Sequence, residues 1–164
     1  MRFAVAIALL APACGYQLAR PGDVPGGQPI RVARFENYTA QVEAGGLFAG
    51  ALRAELDARG KLAPEGGTGP ELTGELLSLA SMPSALGAQG ATAYNLSAAV
   101  RVRLREGSAV VYEDQIGLGE DYLAGIDVLG TEANRRAAMR RLSLRISREI
   151  LERMSVAARF PPAK

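Results

Sequence analysis

Cys14 is the only thiol in this chain, and the chain has no histidine. Without an imidazole, neither a Ser-His-Asp nor a Cys-His nucleophile can be assembled, and a zinc site of the usual kind cannot form. Two carboxylate pairs, Glu113–Asp114 and Glu120–Asp121, are adjacent in sequence. They fall in a stretch that reads as a strand, where neighbours point to opposite faces. They are expected to be solvated or ion-paired, not an acid–base pair. The commonest catalytic and metal-binding arrangements are therefore excluded, and no cofactor or metal is expected. Two other sets of residues have chemistry available. The Cys14 thiol has no disulfide partner and is open to covalent modification. Arg101, Arg103 and Arg105 alternate along one strand, about 7 Å apart, and guanidinium groups so spaced suit phosphates.

A leader positions Cys14. Met1-Arg2 precedes the uncharged run Phe3 to Ala11, then Pro12-Ala13, the pattern of a secretory signal. The run is far shorter than the about 20 apolar residues of a spanning helix. A cysteine directly after Ala13 resembles the lipobox of bacterial lipoproteins. That likeness implies cleavage before Cys14 and a lipid on its thiol, an anchor that several acyl chains would make stable. A plain secretory signal with an incidental cysteine is the alternative. The expected organisation is a signal peptide over 1–13, a lipidated, Pro/Gly-rich lead-in over 14–29, and one domain over 30–159.

A single domain of this length buries roughly two thirds of its surface. Aromatic residues are 5% of the chain and tryptophan is absent, which argues against an aromatic sugar or nucleic-acid platform. A formal charge of +2 gives no global case for a polyanion.

Periodicity sets out the elements that carry the arginines. Ile30 to Phe35 reads as a first strand of ambiguous facing. A helix follows from about Val42 to Arg59, with Phe48, Leu52 and Leu56 on one face. Gly45 and Gly46 weaken its start, so its ordered part is expected nearer Leu47. Gly60 suits a left-handed C-terminal cap. Glu71 to Met82 reads as a strand with a bulge at Gly74, and Pro83 to Ala91 as a loop. The clearest strand has Tyr94, Leu96, Ala98, Val100, Val102 and Leu104 on one face, with Arg101, Arg103 and Arg105 on the other. Val110 to Tyr122 is a second alternating strand. A three-residue turn at Glu106 to Ser108 would pair Leu104 with Val110, Val102 with Tyr112 and Arg101 with Glu113. It is preferred to a two-residue turn at Glu106-Gly107 because it keeps like residues on each face. The last helix runs from about Glu132 to Val156, capped by Thr131, with Met139, Leu142, Ile146 and Ile150 as its buried stripe.

The order strand, helix, three strands, helix, with a right-handed parallel crossover, predicts an α+β two-layer sandwich. It has a mixed four-stranded sheet with two helices on one face. The helices can cover only the face of Val100, Val102 and Leu104, which leaves the arginine row open to solvent or a partner. Cross-strand ion pairing is the plainer role for that row. The final helix carries Arg135, Arg136, Arg140, Arg141, Arg145, Arg148, Arg153 and Arg159. That basic face would suit phosphates or an acidic partner, or would simply be solvated. A row seven residues apart, Ala137, Leu144, Leu151 and Ala158, makes Leu144 and Leu151 candidate partner contacts, with a broadly buried helix as the alternative.

Several short patterns together resemble a known family. Cys14-Gly15-Tyr16-Gln17-Leu18 is similar to the start of the lipopolysaccharide-assembly lipoproteins of the LptE family. Phe35-Glu36-Asn37-Tyr38-Thr39 resembles the segment after that family's first strand. Ala93-Tyr94-Asn95-Leu96, Tyr112-Glu113 and the arginine-rich last helix follow in similar order. The resemblance implies a sheet with two helices on one side, and no enzymatic activity. It also implies attachment to the periplasmic face of the outer membrane and a plug-like partnership with an LptD-type β-barrel. Arg101, Arg103 and Arg105 become candidate lipopolysaccharide-binding residues, and no nucleic acid is involved. The alternative is a binding or structural module of another outer-membrane complex.

Overall fold

The structure, a computed structural model, describes residues 27–88 and 90–160. The leader, Cys14 and most of the lead-in lie outside them. The elements are β1 (Arg31–Val32), β2 (Glu36–Asn37), α1 (Ala44–Ala58), β3 (Glu71–Gly87), β4 (Gly90–Glu106), β5 (Ala109–Leu123) and α2 (Val128–Arg159).

β3, β4 and β5 form an antiparallel meander, and β1 and β2 both pair parallel with β3. The sheet is mixed and open, with both helices on one face, the expected α+β two-layer arrangement. It has five strands because the expected first strand is split. Ile30 makes only a bridge to Leu62, and the ladder resumes at β2 after Phe35 turns into the core. The Phe35 ring lies over Gly74, where an added Cβ would come within 2.5 Å of three ring carbons. Gly74 therefore makes room for a ring and is not the site of a bulge. The irregularities of β3 fall at Leu76/Ser78 and beyond Pro83.

One face of the sheet supplies Leu72, Leu76, Leu96, Val100, Val102, Leu104 and Ile116 to the core. Against them pack Phe48, Leu52 and Leu56 of α1 and Leu142, Ile146 and Ile150 of α2. α1 starts three residues before Leu47, despite its glycines. A Cβ at Gly45 would sit 3.1 Å from Asn37 Cβ and 3.2 Å from Phe35 O, so a residue without a side chain lets the helix enter close to β2. Asn37 holds the turn ahead of it, accepting from Thr39 N at 3.0 Å and donating to Gln41 O at 2.7 Å. Gly60, at φ 64°, follows the helix as expected.

Three local expectations are corrected. Residues 83–87, 90 and 91 are strand, not loop. β3 and β4 continue as a hairpin arm to the Gly87–Gly90 pair, taking in Pro83 through register shifts on either side of Ala85. The β4–β5 turn is the two residues Gly107-Ser108, since Glu106 pairs with Ala109 and Gly107 has φ 60°. A bulge between Leu104 and Arg105 then sets Leu104 against Tyr112, Arg103 against Glu113 and Arg101 against Gln115. The extra bulged residue keeps the apolar side chains on one face despite the two-residue turn. Finally, α2 begins at Val128 with Asp127 as its cap, its Oδ1 accepting from Gly130 N at 2.6 Å. Thr131 instead lies inside the first turn, its hydroxyl bonded to Asp127 O and Gly125 N.

Candidate functional site

Among the described residues, nothing covers the sheet face away from the helices. Directly paired residues share a face, so the register gives its composition row by row. At the start of β3 lie Glu71–Arg105, Thr73–Arg103–Glu113 and Glu75–Arg101–Gln115. The three arginines expected on one face are on it.

Their partners differ. Glu75 bridges two of them, Oε1 accepting from Arg103 Nη1 at 2.6 Å and Oε2 from Arg101 Nη1 at 3.1 Å. Arg103 Nε also donates to Glu113 Oε1 at 2.9 Å. These hydrogen bonds, Glu113 foremost, raise the Arg103 pKa further above its ordinary value. Glu71, opposite Arg105, pairs with Arg31 at 3.4 Å. Arg105 is exposed and has no hydrogen bond or ion pair among the described residues. Arg34, also exposed, is in the same position. Both line one cleft of about 300 Å³ with Glu36, Thr73, Glu75 and Arg103. The cross-strand pairing weighed in the sequence thus holds for Arg101 and Arg103 and leaves Arg105 available. Arg34 escaped the sequence reading because the facing of its segment was ambiguous. Chemically, the cleft offers unengaged guanidinium donors to an anion.

The arginines of α2 are mostly engaged with neighbouring elements. Glu120 accepts from Arg141 Nε and Arg145 Nη1, each at 2.7 Å. The Arg141 hydrogen bond, then that of Arg145, holds the Glu120 carboxyl below its ordinary range against the opposing effect of burial. Arg153 joins Glu149 at 2.7 Å and Asp114 at 3.4 Å, and Arg148 reaches Glu55 of α1 at 3.4 Å. These contacts tie the helix to β5 and α1, each exposed pair stabilising by under about 1 kcal/mol. Both adjacent carboxylate pairs are consumed in this way: Glu113 and Glu120 bind arginines, and Asp121 Oδ1 accepts from Asn95 at 2.8 Å. Asp114 also takes the Tyr112 hydroxyl at 3.1 Å. Burial and the Asp114 charge push the Tyr112 pKa well above the ordinary tyrosine value, so it remains a hydrogen-bond donor. Among the described residues no cluster of three or more His, Cys, Asp or Glu side chains could hold a metal ion.

The row on α2 does not face one way. Leu144 is 39% exposed and lines a shallow apolar groove with Gly46, Leu47, Gly50 and Arg140. Leu151 is 0% exposed and belongs to the core. Ala137 is half-buried and Ala158 exposed, so the seven-residue row keeps no single facing along the helix. Of the two candidate contacts, only Leu144 presents a surface.

The sequence model of the LptE lipopolysaccharide-assembly family matches residues 27–154. No curated protein matches the chain by sequence. Solved structures with a similar fold include the rare lipoprotein B of Shewanella oneidensis, at 17% identity and TM-score 0.54, covering 77% of this chain and 95% of that one. A minor lipoprotein of Acinetobacter baumannii is similar at 15% identity and TM-score 0.52, covering 82% and 96%. Lipoprotein B of Nitrosomonas europaea is similar at 14% identity and TM-score 0.54, covering 81% and 85%. At these identities the likeness is one of fold.

Proposed function

Because the chain belongs to the LptE lipopolysaccharide-assembly family, we propose that it is an outer-membrane lipoprotein that plugs an LptD-type β-barrel and assists the insertion of lipopolysaccharide. The family's proteins are assembly components of the envelope and not enzymes. The leader supports lipid attachment at Cys14, on the periplasmic face of the outer membrane. Among the described residues no helix is long and apolar enough to cross a membrane.

The observation that carries the reading is the match of the family model over nearly the whole folded domain. The uncovered basic sheet face adds to it. Lipopolysaccharide carries phosphates on an acylated sugar, and Arg105 and Arg34 are unengaged donors beside Arg103. Leu144, exposed in its apolar groove, is the proposed barrel contact.

The test is solubilisation of the native outer membrane in mild detergent, followed by capture of the tagged full-length chain. A large β-barrel recovered in stoichiometric amount, and an acylated Cys14 in the peptide masses, are the expected results. Capture of a different envelope complex would overturn the barrel reading in favour of a module of that complex.

A further inference from the structure

The uncovered sheet face is divided along its length. Beyond the arginine rows, the register continues as Ser78–Ala99–Gly117, Ala80–Ser97–Gly119, Met82–Asn95–Asp121, Ala85–Ala93–Leu123 and Leu86–Ala91. From Leu76 to Val100 no side chain is charged. On this half of the face only Asp121 bears a charge, and Asn95 binds it. The far end exposes large aliphatic groups: Met82 at 64%, Leu86 at 78% and Leu123 at 68%. Ile126 and Leu129, in the turn and first residues of α2 that follow β5, are also fully or largely exposed.

A bare apolar strand end invites aggregation unless something covers it. Gly117 sharpens the point. A Cβ there would meet only Ala98 O, at 3.9 Å, so the fold itself does not require a glycine. Glycine inside a strand weakens it and marks a bulge, a bend or a close approach; the β4–β5 register runs without irregularity through Gly117.

We propose that this face is a trough for an acylated anionic amphiphile. Its phosphate end sits at Arg105 and Arg34 beside Arg103, and its acyl chains run along Ala99 and Gly117 toward Met82, Leu86 and Leu123. This rests on the lipopolysaccharide reading of the same face. Charge complementarity selects the occupant: Arg105 and Arg34, without an ion pair among the described residues, stand at one end, where Glu75 and Glu113 already hold Arg101 and Arg103, and aliphatic groups stand at the other. The dimensions agree. Eight residues of β4 separate Arg101 from Ala93, about 27 Å at roughly 3.4 Å per residue. One leaflet of hydrocarbon is about 15 Å thick, half of the roughly 30 Å core, which leaves space for a phosphorylated head. Three strands give a width of about 10 Å.

The experiment measures equilibrium binding of purified lipopolysaccharide and of its deacylated form to the full chain carrying Cys14→Ser, which removes the protein's own lipid. Leu86→Asp/Leu123→Asp changes only exposed side chains, and Gly117→Phe places a ring on the face at a position where a Cβ meets only Ala98 O, at 3.9 Å. Both should melt like the parent, bind intact lipopolysaccharide at least tenfold more weakly, and bind the deacylated form unchanged. Intact lipopolysaccharide binding within twofold of the parent in both variants would overturn the trough. If neutralising the three arginines still weakened both ligands, the phosphate reading would survive. No binding of either ligand by the parent chain would overturn the lipopolysaccharide contact and the trough together. Loss of a barrel complex in Leu86→Asp/Leu123→Asp with lipid binding intact would assign the face to protein and overturn the lipid.

Discussion

Gly74→Ala should destabilise this fold more than a one-carbon change normally does. The new Cβ would lie within 2.5 Å of Cζ, Cε1 and Cε2 of Phe35, whereas carbons pack best at about 3.5–4.0 Å. The ring must therefore move by more than about 1 Å. Its backbone cannot follow freely. Ala33 N donates to Leu72 O and Tyr38 N to Leu76 O, each at 3.0 Å, which fixes the chain to β3 on both sides of Phe35. Phe35 is only 4% exposed, so the ring has no route to solvent. Overpacking of this kind costs about 1–3 kcal/mol. Replacing a strand glycine recovers roughly 0.5–1 kcal/mol of chain entropy. The net loss is about 1–2 kcal/mol, or roughly 5 °C in Tm for a domain of this size. Urea titration gives the free energy, and Phe35→Leu supplies the control. The smaller side chain should make room for the methyl group, so the double variant should be at least about 1 kcal/mol more stable than the two single losses predict. A Gly74→Ala protein as stable as the parent, or strictly additive losses, would refute the packing argument.

Two further outcomes follow from the helix–sheet contacts. Glu120→Gln should cost about 1 kcal/mol at neutral pH, since two ion pairs of modest strength are lost. The folded Glu120 pKa lies below its ordinary value of 4.5. Its contribution is therefore complete above that value and lost as pH falls through the lower folded pKa. Melting curves of the parent and variant should converge on acidification below pH 4.5, and a constant gap would deny the ion pairs their part. Leu144→Asp should melt within about 0.5 kcal/mol of the parent and lose the barrel in co-purification, whereas Leu151→Asp should unfold, because an unpaired charge would be buried at a fully covered position.

Much of the scaffold was legible because its periods are clean. β4 alternates strictly, and α2 repeats Leu142, Ile146 and Ile150 on its core side. The length of the hairpin arm was hidden by Pro83, Gly87 and Gly90, which ordinarily punctuate a chain. Here register shifts absorb the proline, and Gly90, at φ 122°, serves the tip. The start of α2 was hidden by Val128 and Leu129, exposed apolar residues that break the amphipathic pattern. Of the candidate site, the arginine row could be read from alternation alone. Which of its members is unengaged depended on Glu75, brought alongside by β3 pairing that only a register can specify. The apolar half of the face did leave a trace, the uncharged run from Leu76 to Val100, but Pro83, Gly87 and Gly90 give part of that run the look of a loop.

We propose that one surface of this protein meets lipopolysaccharide and another meets a barrel. Site-specific photocrosslinking in the native outer membrane tests it most directly, with the probe placed at Ala99 on the sheet face and at Leu144 in the helical groove. A lipopolysaccharide adduct from Ala99 and a large β-barrel adduct from Leu144 are the expected results. Barrel adducts from Ala99 with no lipopolysaccharide, or no barrel adduct from Leu144, would contradict it.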